Sequence, residues 1–146
     1  MANYLNANTI MNGTFGVVTM NGHEVLEAFG MEAKVELQKE AIKICGSLAE
    51  HEKYMGYKGT GTVRLKKTNS RMALELMEGI KSGKLPEIEI MSQLADPAAT
   101  GAERVHIKGI KFNDLTLVNW EAGALGEIEA PFTFTDFELI DAVSPQ

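Results

Sequence analysis

Residues 31–37 read MEAKVEL, and that pattern restricts the chain more than any other feature. Met31, Ala33, Val35 and Leu37 fall on one side; Glu32, Lys34 and Glu36 fall on the other. A period of two fits a half-buried β-strand. The strand can run on through Ile42 and Ile44, although the intervening QKEA also suits a helix. Strand-like runs recur in GTGTVRLKK (59–67), EIEIMSQL (87–94), RVHIKGIKF (104–112) and LTLVNW (115–120), each bounded by turn residues. RVHIKGIKF is a strand pair or a bulged strand, with Gly109 as the irregular point. Asn21-Gly22 is the sharpest turn signal, because a tight hairpin turn needs φ > 0 at both central positions. GTFGVVTM (13–20) and HEVLEAF (23–29) are therefore expected to pair across it.

One segment follows a helical period. Met72, Ala73, Leu76, Met77 and Ile80 share a face, Asn69 or Ser70 supplies the N-cap and Gly83 the stop, so a helix is expected over 70–82. Its polar side carries Arg71, Glu75, Glu78 and Lys81. Residues 46–58, GSLAEHEKYMGYK, keep neither period and read as a long loop with a helical turn at Leu48–His51. A loop of that length in a small domain is usually functional or disordered. The Asn-rich residues 1–12 read as an arm. Seven or eight strands and one helix imply a mainly β fold, a β-sandwich or partial barrel with one flanking α-helix, in a single domain over 1–146.

The closing stretch IEAPFTFTDFELID (128–141) alternates but changes phase. Phe132 and Phe134 share parity, whereas Phe137 and Leu139 take the opposite one. Such a slip predicts a bulge near Asp136 or a switch of sheet.

The search for chemistry returns little. His23, His51 and His106 form no HExxH or Cys/His ligand spacing; convergence of His23, His51 and Cys45 on zinc requires folding to bring them together, and surface histidines explain them more simply. GYKGTG (56–61) lacks the Lys-Ser/Thr ending of a phosphate loop, and no GxSxG occurs. No catalytic, cofactor-binding or metal residues are assigned, and neither enzyme activity nor a cofactor is expected. Trp120, the sole tryptophan, reads as a core or interface anchor. The lone Cys45 offers no internal disulfide, which suits a reducing compartment; no membrane helix or signal peptide is expected. The net charge of −6 is uneven: residues 1–73 hold nine Lys/Arg and seven Asp/Glu, residues 74–146 five and thirteen. Such a chain is poorly suited to gripping nucleic acid. It either has a solvated acidic face or bears two surfaces of opposite sign that attract when copies associate.

Three segments, GTGTVRLKKTNSRM (59–72), TGAERVHIKGIKFNDL (100–115) and EAPFTFTDFEL (129–139), follow NTIMNGTFGVVTMNGHEV in an order that resembles the tail tube proteins of contractile phage tails in Gram-positive hosts. The PBSX prophage and phage-tail-like bacteriocins carry tubes of this type. The resemblance implies a hexameric tail-tube fold: six copies close into a ring, inner strands join into one barrel around a channel, and rings stack inside a sheath that drives the tube through a target envelope. It implies self-association, a sheath protein, a baseplate initiator and a tail terminator as partners. DNA would pass without specific binding in a phage, and ions would pass in a bacteriocin. The protein would be made in the host bacterial cytoplasm and carried in a virion tail or released particle. On this resemblance Glu32, Lys34 and Glu36, or Glu87 and Glu89, are candidates to line the channel, where an acidic wall would repel phosphates. Tyr54, Met55 and Tyr57 in the 46–58 loop, and Phe132 and Phe134, are candidates for ring or stacking contacts. A secretion-system tube or tail-terminator relative, and a soluble β-barrel that binds a small ligand, are the alternatives.

Overall fold

The computed structural model describes residues 7–68, 70–85, 87–98 and 101–142. Eight antiparallel strands and one helix follow in the order β1 (Gly16–Met20), β2 (His23–Glu24), β3 (Ala28–Ile42), β4 (His51–Lys66), α1 (Arg71–Ser82), β5 (Ile88–Leu94), β6 (Glu103–Phe112), β7 (Glu127–Phe134) and β8 (Asp136–Asp141). Hydrogen bonding runs β2-β1-β5-β6-β7-β4-β3, with β8 also on β6. Among the described residues the ladder does not close, and the sheet folds over into two layers. One holds β2, β1, β5, β8 and most of β6; the other holds β3, β4, β7 and the end of β6.

β6 makes the fold-over possible. Its first half pairs with β5 on one side and β8 on the other, whereas Lys111 and Phe112 pair with Thr133 and Phe132 of β7. The bend falls at Gly109, where φ is +67° and the β5 register skips from Ile90↔Ile107 to Ile88↔Ile110. A built Cβ at Gly109 would collide with the Thr135 hydroxyl, so the site demands glycine twice over. The expected phase slip at the C-terminus is also a switch of layer: β7 pairs with β4, Thr135 interrupts, and β8 pairs with β6.

The core lies between the layers. Val63, Ile90 and Phe132 are fully buried, with Val18, Met20, Leu65, Ile88, Ile107, Ile110 and Phe134 around them. Gly59 and Gly61 stand directly opposite Phe134 and Phe132. A Cβ at Gly61 would sit 2.5 Å from the Phe132 ring and 2.6 Å from the Glu32 carbonyl. Both rings therefore lie flat on the β4 backbone, and the GTGT motif places glycine inward and threonine outward. Two of the segments that carried the resemblance are thus partners across a single ladder.

Several expectations change. HEVLEAF does not form one return strand; only His23 and Glu24 pair with β1, and β3 starts at Ala28. The turn between β1 and β2 forms as expected, with Asn21 at φ 49° and Gly22 at φ 82°. Helix α1 starts after Ser70, whose side chain makes no cap bond, and ends at left-handed Gly83; Asn69 and the side chains of Arg71, Met72 and Glu75 lie outside the described set. Leu76 is buried, but Met77 and Ile80 are 40% and 54% exposed, so the helix rests on a narrower stripe than its period implies. LTLVNW forms no strand, and Trp120 is 82% exposed rather than in the core. After β5, buried Asp96 accepts the Asn12 and Ala98 N–H groups on its carboxylate, both at 2.9 Å. That bond fastens the end of the N-terminal segment to β5; residues 1–6 of the expected arm lie outside the described residues.

Candidate assembly surface

The largest departure from the sequence reading is at 46–58. Residues 51–58 are no loop: they form the first half of the 16-residue strand β4 and pair with β3 from Lys58↔Glu36 to His51↔Ile42. Only 43–50 form the connection. β3 and β4 together make a two-stranded spur that outruns the two layers, because β7 covers β4 only from Gly59 onward. Every residue from 36 to 50 and from 52 to 58 is exposed.

A two-stranded ribbon without a hydrophobic face is marginal in water, and this one carries other supports. Glu36 stands opposite Lys58 and Glu40 opposite Lys53, while the Lys39 ammonium meets the Glu52 carboxylate at 2.8 Å. The hydrogen bond to Glu52, and then its charge, raise the Lys39 pKa above its ordinary 10.5. At the root, the Tyr57 hydroxyl donates to the Thr135 carbonyl at 2.6 Å, and its ring meets Phe137 edge-on at 5.9 Å. A bulge between Gln38 and Lys39 leaves Met55 without an opposite residue. Ser47 and His51 bond at 2.9 Å across the tip beside exposed Cys45.

The predicted interface residues therefore separate into two groups. Tyr54, Met55 and Tyr57 project from the spur, at 67%, 60% and 49% exposure. Phe132 and Phe134 do not belong with them: they are 0% and 5% exposed, closed in by Gly61 and Gly59. Alternation showed that these rings face something apolar; it did not show that the apolar partner is the same chain.

The channel candidates are exposed but divide between layers. Glu32, Lys34 and Glu36 stand on the outward face of β3, opposite Thr62, Thr60 and Lys58. Glu89 stands on the outward face of β5, where His106 Nε2 donates to its carboxylate at 3.2 Å; exposed Glu87 precedes the strand. Because the layers enclose the core between them, these faces look in opposing directions, and one wall cannot take both sets. Their charges differ too. The β5–β6–β8 face carries Glu89, Asp136, Glu138 and Asp141 against Arg104 and Lys108, with Lys108–Glu138 at 3.8 Å and Arg104–Asp141 at 3.6 Å. The β3–β4–β7 face mixes Glu32, Glu36 and Glu129 with Lys34, Lys58 and Arg64.

Sequence reasoning missed other exposed apolar groups, Leu117 and Val118 at 72% and 75%, Leu125 at 87%, and Phe137 and Leu139 of β8 at 46% and 56%; Trp120, offered as a core or interface anchor, is 82% exposed beside them in sequence. Isolated exposed hydrophobics are ordinary, but grouped ones mark contact surfaces. Among the described residues no three His, Cys, Asp or Glu gather as a metal site, so His23, His51 and Cys45 are not brought together. Among the described residues no helix is long and apolar enough to cross a membrane.

Comparison with known proteins agrees with this geometry. The profile of a family described as phage tail tube protein matches residues 3–141. The chain is 30% identical over 142 residues to the phage-like element PBSX protein XkdM of Bacillus subtilis strain 168, covering 96% of this chain and 97% of that one. It is also 30% identical over 137 residues to the uncharacterized protein YqbM of the same strain, covering 92% and 93%. Among solved structures, the sheath–tube complex of the extracellular contractile injection system PVC in its extended state contains a chain that superposes with a TM-score of 0.69, at 10% identity, covering 90% of this chain and 92% of that one. The tube-terminating cap of the anti-feeding prophage contains one with a TM-score of 0.74, at 10% identity, covering 96% and 97%.

Proposed function

The chain belongs to the phage tail tube protein family, and from that premise we propose that six copies close into a ring, that rings stack into a hollow tube, and that the β3–β4 spur makes the contact between rings. A structural subunit of this kind needs no active site; it needs edges and surfaces that only siblings complete. The observation that carries the reading is the spur itself. It places Tyr54 and Met55 beyond the reach of the chain's own core, on a ribbon with ladder bonds but no apolar floor. A feature so poorly supported alone gains stability when a second copy covers it.

A sheath, a baseplate and a terminator are the partners that fit this subunit, and a virion tail or released tail-like particle is its place of work. Only one layer of the sandwich can face the channel.

The test removes the spur without touching the body. Residues 39–55, which include Tyr54 and Met55, are replaced by Asn-Gly between Gln38 and Gly56, which are opposite in the ladder. Excising 46–58 instead would leave the far half of β3 without its partner. The shortened chain is expected to unfold with the same midpoint as the parent, and negative-stain micrographs are expected to show no stacked tubes. Tubes of normal length from that variant would refute the role of the spur.

A further inference from the structure

Leu115–Trp120 reads LTLVNW, a run of strand formers, yet the chain gives it no ladder. β6 pairs with β7 through Lys111 and Phe112, and the Asn113 N–H still donates to the Pro131 carbonyl at 2.9 Å. Leu115 still packs on the core. Beyond it the chain leaves the edge of β7, and among the described residues no backbone hydrogen bond holds 115–120. Leu117, Val118 and Trp120 stand in water. Asn113 and Asp114, both poor strand formers, sit where the ladder ends.

The same layer has a second unmet requirement at its far end. β3 is the terminal strand of the order β7-β4-β3, so among the described residues one edge of its 15 residues has no ladder partner. An unpaired edge invites a strand, and an unpaired strand former needs an edge. One chain that carries both, at opposite ends of one layer, is complementary to itself head to tail, the arrangement that closes rings.

We propose that residues 115–120 become a strand only in the assembled tube, pairing with the free edge of β3 in the adjacent copy. The inference rests on the tube reading and deepens it by naming the two edges that meet. β3 fits better than the free edge of β8, and β2, at the other end of the order, offers only two residues. A neighbour at β8 would set Asp114 and Glu121, which flank the segment, beside Asp136, Glu138 and Asp141. β3 offers Lys34 and Lys39 among its glutamates.

Trp120 is the only tryptophan and Cys45 the only cysteine, so the experiment needs few changes. Trp120 fluorescence in the full chain is expected to move to shorter wavelength as tubes form. Val118→Pro, which removes a donor from an exposed and unpaired stretch, is expected to leave the unfolding midpoint of the free subunit unchanged and to abolish rings. In a Cys45→Ser background, Val118→Cys combined in turn with cysteine at each of positions 32–37 is expected to yield an oxidised ladder of linked copies for at least one position. Tubes that form with unshifted Trp120 emission, or from Val118→Pro at normal yield, overturn the inference and leave the tube reading intact. A shift without any cross-link to β3 overturns the choice of β3. A wild-type chain that never forms rings overturns both readings.

Discussion

The two halves of β4 share a backbone, a partner strand and a ladder, yet they belong to different environments. From Gly59 to Lys66 the strand has β3 on one side and β7 on the other, and Val63 and Leu65 are buried. From Glu52 to Lys58 it has β3 alone, and every residue is exposed. Hydrogen bonding does not distinguish the halves; the apolar layer beneath them does. The inner half is held by the subunit's own core, whereas the outer half has no apolar layer of its own, which is why the proposed reading has another copy cover it.

The sharpest way to break the inner half is Phe132→Ala. The ring is fully buried on the face of Gly61, so the variant is expected to lose about 3–5 kcal/mol of unfolding free energy, read by urea denaturation. A loss below about 1 kcal/mol would mean that the ring is not locked as described. Gly61→Ala attacks the same contact from the other side. Its new methyl meets both the Phe132 ring and the Glu32 carbonyl, and backbone cannot give way as a side-chain tip can, so a loss of about 1–3 kcal/mol is expected. Because both substitutions strain one contact, the double variant Gly61→Ala/Phe132→Ala is expected to lose less than the sum of the two.

That contrast also explains what the sequence disclosed. Period-two alternation records burial of one face, so strands with a buried face, such as β5 and β7, are legible, and so is the change of phase at Thr135 that moves the chain between layers. The outer half of β4 buries neither face, and its ladder therefore leaves no periodic trace; the sequence reads as a loop there. The reverse error occurs at 115–120, where strand-forming residues stand in coil because none of the described strands pairs with them. Tyr54, Met55 and Tyr57 were legible as contact candidates because they are large and apolar in a polar stretch, and the structure leaves them exposed. Phe132 and Phe134 were misplaced because a pattern reports an apolar neighbour without saying which molecule provides it.

A smaller effect should come from the N-terminal tether. Asp96→Ala leaves the Asn12 and Ala98 N–H groups without their acceptor, and about 1–2 kcal/mol of stability should go with it. Amide exchange should quicken at Asn12 and Ala98 and stay unchanged along the spur. Faster exchange that spread to Tyr54 and Tyr57 would show that the two regions are one cooperative unit.

The least costly change is expected in the outer half. Lys39→Met removes the ammonium that Glu52 holds but keeps a stem of similar reach, and both partners are about half exposed. Exposed pairs contribute little and are screened by salt, so the unfolding midpoint of the subunit should not move. The hydrogen bond raises the Lys39 pKa in the folded state, so whatever the pair adds is fully present below the ordinary 10.5 and is lost as pH rises through the raised value. At neutral pH the pair is therefore intact, and its removal tests geometry rather than titration. If the spur docks on a sibling with Tyr54 and Met55, straightness of the ribbon matters to assembly even though it is invisible to folding. Tube yield by sedimentation should then fall for Lys39→Met while the unfolding curve stays superimposable on the parent's. Equal yields would place the docking contact on the apolar side chains alone.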